Sequence, residues 1–151
     1  VRTVSRDTVV VAGLRAWARG SYAEEAAVEL LVRAFDGRFC RDGAPWIRAT
    51  GRPDFFTLDP DQIDRFSSGL SGGERRLLAV VAALAGDRPL DDVGGIVAGV
   101  DRAHLALILA ALAHAGGSHQ HSDLVMTGDG SCSFVELPAL IRWPTNTARA
   151  A

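Results

Sequence analysis

Four times along this 151-residue chain a capping residue stands directly ahead of an apolar stripe, and that punctuation commits much of the chain to helix. Ser21 and Glu24 form an S-x-x-E capping box before Ala23, Ala27, Leu30, Leu31 and Ala34. Asp59-Pro60 supplies an N-cap with proline at the first helical position, ahead of Ile63 and Phe66. Ser71 and Glu74 form a second box before Leu77, Val80, Val81 and Leu84, and Asp101 precedes Leu105, Ile108, Leu109 and Leu112. Each pattern satisfies the orphan N–H groups of a helix start and then repeats apolar residues near the helical period. Gly37, Gly86 and Gly116-Gly117 stop three of these stretches, as left-handed caps do. A further helix is expected over Asp7–Ala18, with Val10, Val11, Leu14 and Trp17 spaced for it and Gly20 ending it. A short one over Leu90–Val100 would be capped by Asp91 and broken by Gly94-Gly95.

Between Arg38 and Asp59 the pattern changes. Phe39-Cys40, Trp46-Ile47 and Phe55–Leu58 are β-prone runs divided by Arg41-Asp42-Gly43 and Gly51–Asp54. Turn residues between aromatic runs predict a β-hairpin or a three-strand meander. Leu124–Met126, followed by Gly128-Asp129-Gly130, predicts another strand and turn, and an apolar stretch runs on to Trp143. The fold class expected is α+β, mainly helical: one domain over residues 1–143, about five helices on a small antiparallel sheet, with 144–151 a frayed tail.

Composition narrows the function classes. Hydrophobic residues make up 48% and charged residues 23%, the balance of a folded domain rather than a disordered chain. All sixteen basic residues are arginine, which removes lysine Schiff-base and general-base chemistry and points to a GC-rich bacterial coding bias. The net charge of −2 gives no overall attraction to nucleic acid or to an anionic membrane. Cys40 and Cys132 lie far apart and outside any C-x-x-C pattern, so free thiols are expected. Val9–Ala12 resembles a short signal core, but Arg15 and Arg19 follow and no cleavage pattern appears. The expectation is a cytoplasmic, soluble protein that does not enter a membrane.

Leu70-Ser71-Gly72-Gly73-Glu74 resembles the signature loop of ABC-type ATPases, and Gly99-Val100-Asp101 looks like the D-loop of that family. The resemblance implies a helix start that closes over a nucleotide held by another subunit. The chain departs from the family elsewhere. It has no G-x-x-x-x-G-K-[ST] loop, Asp91–Gly95 replaces the Walker B strand, and Gly128 stands where a switch histidine would be. We therefore read the segment as a capping box and expect neither ATP hydrolysis nor ATP binding by the isolated chain. What survives is a helix N-terminus at which Ser71, Gly72 and Gly73 could hold an anion.

Three further groups bear on function. His114, His119 and His121, with Asp123, lie within ten residues and carry the imidazole and carboxylate donors of a zinc site, zinc being the cofactor they would take. Set against this, His114 near a helix end suits the helix dipole, and loop histidines are commonly solvated. His104, in a first helical turn, reads as a surface residue. Arg48 and Arg52 beside Trp46, Phe55 and Phe56 could form the wing of a nucleic-acid binder, although the aromatics alone read as core. Cys132 could pair with a histidine as a nucleophile, while Asp59, Asp61 and Asp64 lack the glycine and glutamate of a calcium loop.

The leading expectation is a non-enzymatic interaction or accessory protein that self-associates as a homodimer, with a different protein partner also open. The seam Leu105-Ile108-Leu109-Leu112 would face the core, leaving Ala106, Ala110, Ala111 and Ala113 free for a second helix at close range, so this helix, or the Leu77–Leu84 helix, is expected at or near the interface. A winged-helix-like nucleic-acid binder and a metal-dependent hydrolase on the His114–Asp123 cluster are the alternatives.

Overall fold

Capping decides where most of the helices begin. The computed structural model describes residues 5–145. Among them α1 spans Arg6–Ala18, α2 Tyr22–Arg33, α3 Pro60–Phe66, α4 Gly72–Gly86, α5 Val93–Ala98 and α6 Arg102–Ala115. Ser71 accepts the Glu74 N–H while the Glu74 carboxylate accepts the Ser71 N–H at 2.8 Å, a complete capping box. Asp59 accepts from Asp61 N and Asp101 from His104 N, both in the role the sequence predicts. Two caps differ from expectation. Asp92, not Asp91, caps α5, and both glycines sit inside that helix rather than breaking it. At α2, Ser21 accepts the Glu24 N–H, but the residue reaching back over the helix start is Glu25, which accepts from Gly20 N at 3.1 Å.

α2 is the axis of the molecule. It packs on α1, α4 and α6, and α3 lies against α4. α2 and α6 are the most extensively packed pair of helices, and Ala26 and Ala27 of α2 and Ala110 and Ala111 of α6 are all buried, small residues that suit a close approach. That corrects half of the expected seam of α6, in which Ile108 is buried and Leu105 half-buried as expected. Ala110, Ala111 and Leu107-Ile108 are buried and Ala106 and Ala113 half-buried, while Leu109 and Leu112 are 43% and 46% exposed. Alanine is short, so a tight helix pair buries it and turns the longer leucines outward. α4 is buried more broadly, through Leu77, Leu78, Val80, Val81 and Ala82.

The predicted meander is a two-stranded hairpin. β1 (Ile47–Ala49) pairs antiparallel with β2 (Phe56–Leu58), and β2 packs on α1. Gly13 of α1 makes that contact possible: a Cβ there would lie 2.6 Å from Asp54 O and from the Phe56 ring. Phe39-Cys40 is not a strand. After α2 the backbone turns through left-handed conformations at Phe35, Asp36 and Gly37, which drops Phe39 and Cys40 into the core beside Trp46. The indole N–H of Trp46 donates to Phe39 O at 2.9 Å, satisfying the buried ring. Trp46 and Phe56 are thus core, as their bulk predicts, while Phe55 is only half-buried.

A second ribbon follows α6. A short 3₁₀ turn, Ser118–Gln120, leads into β3 (Ser122–Met126), which pairs antiparallel with β4 (Cys132–Glu136) in the register Leu124↔Phe134. The two strands contact each other and pack extensively on no helix. No helix among the described residues is long and apolar enough to cross a membrane. Pro144 and Thr145 are the last described residues, so the remainder of the predicted tail lies outside them.

Candidate functional site

Two places combine chemistry with exposure: a pocket floored by α2 and α6, and the β3–β4 ribbon.

The pocket is a cavity of about 520 Å³. α2 contributes Glu25 and Glu29, α6 contributes His114, the 3₁₀ turn contributes His119, and Trp143 closes the rim from the C-terminal segment. Gly117 aims that turn. Its φ of +72° is a left-handed conformation suited to glycine, and an added Cβ would press on the Tyr22 ring at 3.2 Å. The chain therefore folds back and lays His119 on His114, with ring centroids 4.1 Å apart and planes 13° from parallel. Tyr22 meets His119 edge-on at 4.8 Å.

Glu25 joins the two rings. Its Oε2 lies 2.9 Å from His114 Nε2, and donor atoms of Glu25, His114 and His119 all fall within 4.8 Å of one another. Burial raises the Glu25 carboxyl pKa, but the His114 hydrogen bond and the Gly20 N–H outweigh it, so the group stays ionised below the usual range. His119 is shifted down by burial first and then by the nearby His114, which keeps the ring neutral. His119 Nδ1 is buried and lacks a hydrogen-bond partner among the described residues.

Deeper along α2, Glu29 takes Arg15 Nε at 2.6 Å and Arg33 Nε at 3.1 Å. The Arg33 guanidinium lies over the Trp143 ring at 5.2 Å. This ion cluster ties α1 to α2 and seats the C-terminal segment on the pocket.

The sequence-predicted residues separate into groups. His114 and His119 come together as expected, but their carboxylate partner is Glu25, which no local spacing could reveal because it is 89 residues from His114. His121 and Asp123 are not among the converging donors. Both are exposed, and Asp123 accepts the Leu124 N–H. His104 is not a free surface residue: it takes Phe35 N, pairs with Asp101 at 2.7 Å and stacks on Phe35 at 4.0 Å. At Ser71, Gly72 and Gly73 the helix start is served by its own box, and Glu74 also pairs with Arg38. Arg48 pairs with Asp59, and Arg52 lies over the Phe55 ring at 5.7 Å.

The ribbon is the second place. Every residue of β3 and β4 is exposed. Side chains alternate across a ribbon, so Leu124, Met126, Cys132 and Phe134 share one face. Phe134 is 80% and Met126 67% exposed. The tip is tightly specified: Asp129 accepts from the Thr127 hydroxyl and from Ser131 N and Oγ, Thr127 N donates to Ser131 O, and Gly130 takes the left-handed position. Those bonds from Thr127 and then Ser131 hold the Asp129 carboxyl well below the usual range. Comparison with family models, with curated proteins and with solved structures finds no match to this chain.

Proposed function

We propose that the protein is a non-enzymatic interaction module that self-associates through the β3–β4 ribbon. The observation that carries the reading is the apolar face Leu124-Met126-Cys132-Phe134 on a ribbon that packs extensively on no helix. A lone two-stranded ribbon is marginal in water, and here most of the surface of Leu124, Met126 and Phe134 stays exposed. Both outer edges face away from a partner strand, Asp123 covering only the Leu124 N–H, and neither strand holds proline, lysine or arginine to blunt them. An identical ribbon stacked about a two-fold axis would supply a matching apolar face. The small net charge opposes such contact little.

The outward leucines of α6, Leu109 and Leu112, add a second apolar patch on the same chain. Because α4 is spent on its own core, α6 is the helix we place near the interface. A stable contact would bury more than about 1,000 Å² in total. Light scattering over a dilution series tests the reading, with Phe134→Glu and Met126→Glu as variants that touch no core position. Concentration-dependent dimers, converted to monomers by either variant, are expected. A wild-type monomer at every concentration would sink the proposal.

A further inference from the structure

The pocket end of α2 and α6 carries donors that the ribbon does not use. Glu25 and His114 are already drawn together, and His119 is held beside them by a turn that requires Gly117. A satisfied structural histidine would have both ring nitrogens solvated or bonded. His119 instead buries Nδ1 with no partner among the described residues, while the ring edge is walled by Tyr22. Burying an unpaired polar nitrogen is unfavourable, and a group that accepts its lone pair would remove that cost. Two imidazoles and one carboxylate are the three-ligand set with which proteins hold Zn²⁺ while leaving a fourth position open. Here the open side gives onto a cavity of about 520 Å³.

We infer that Glu25, His114 and His119 form a binding site for a single divalent transition-metal ion, Zn²⁺ foremost. Ligand bonds of about 2.0–2.2 Å require the donors to draw closer than their present 4.8 Å spread. The His119 ring makes that adjustment by turning out of its stack on His114, since two parallel rings cannot aim their lone pairs at one point. Glu25 accepts Gly20 N through Oε1, which orients the carboxylate and leaves Oε2 toward the histidines. The single charge of Glu29 offsets one of the two guanidinium charges of Arg15 and Arg33, so the cationic side of the pocket does not repel the ion in full. The site is independent of the ribbon, and either can fail without the other.

The test is a Zn²⁺ titration of the full chain carrying Cys132→Ser, which removes the exposed thiol as a competing ligand. One Zn²⁺ per chain is expected, with thermal stabilisation that grows with free metal. Loss of an outer-shell partner typically costs about 10–100-fold in metal affinity, so His119→Ala and Glu25→Gln should each weaken binding by at least about a hundredfold. His121→Ala should leave it unchanged. Should His119→Ala fail to fold, Co²⁺ added to the Cys132→Ser protein must still give the visible absorption of a low-symmetry nitrogen and oxygen site. No binding at about 100 μM Zn²⁺, binding indifferent to His119→Ala, binding lost in His121→Ala, or a Co²⁺ spectrum no different from the free ion would each overturn the site.

Discussion

At the scale of single residues, burial separates side chains of identical chemistry. Cys40 lies in the core, where burial, reinforced by Asp7 and Glu29 and opposed by Arg15, pushes its thiol up to about 12. Cys132 is exposed, its Sγ 3.0 Å from Met126 Sδ. The thiolate is the reactive form, so a disulfide reagent at neutral pH should titrate one thiol in the native protein and two after unfolding. Two fast thiols in the folded state would contradict the core around Phe39 and Trp46. Glu29 gives a second residue-scale test. Burial raises its pKa, yet the hydrogen bond and charge of Arg15 and the charge of Arg33 prevail, leaving it below the ordinary value. A depressed carboxyl contributes stability that is complete above its unfolded pKa, about 4.3, and is lost as pH falls through the lower folded value. Glu29→Gln should therefore cost on the order of 1 kcal/mol at pH 7, the partners being half in water, with the deficit shrinking below about pH 4. Denaturant melts at several pH values would show it, and a deficit that grows on acidification would refute the pairing.

At the scale of elements, the starts of helices were legible and their orientation was less so. Ser71 and Glu74 act through hydrogen bonds to neighbours three residues away, so spacing alone identifies them. Ser71→Ala should cost about 1 kcal/mol in a thermal melt. The face that α6 buries depends on a partner distant in sequence. Hydrophobicity favours the leucine seam, but the close approach of α2 selects Ala110 and Ala111 instead. The same approach makes a sharp prediction. Ala111→Leu must force two close helices apart and should cost about 1–3 kcal/mol or more, whereas Leu112→Gln, on the outward face, should change stability little. Equal losses for the two variants, measured by chemical denaturation, would return the leucine seam to the core. Phe39 and Cys40 illustrate another limit, because apolar pairs between turn residues suit a strand and a buried loop equally well. What settled them was the left-handed backbone at Phe35 and Asp36, which no propensity of phenylalanine foretells.

At the scale of the whole molecule, the pocket and the ribbon emerge from the same short stretch after α6 and yet answer to different contacts. Two of the three donors of the pocket cluster, His114 and His119, were visible as neighbouring histidines. Its carboxylate was not, because Glu25 arrives through the packing of α2 on α6. Of the ribbon, the strand at Leu124–Met126 and the turn at Gly128–Gly130 were visible as an apolar run and turn residues, but β4 was not. The solvation of both strands follows from the helices having closed their core without them. Residues His121 and Leu137 bracket the ribbon, and Leu137 N donates to His121 O at 2.9 Å. The backbone is therefore already close enough at that point for a short turn to replace residues 122–136. Such a deletion removes no buried side chain, since every residue of both strands is exposed. Surface removals of this kind usually shift stability little, so the melting temperature should stay within a few degrees of the parent. The donors Glu25, His114 and His119 also lie outside the deletion, so Zn²⁺ binding should persist. Self-association should disappear, because the proposed contact goes with the ribbon. A dimer that survives the deletion would move the interface to Leu109 and Leu112 of α6, and a collapse of the helical core would show that the ribbon supports the fold it leaves.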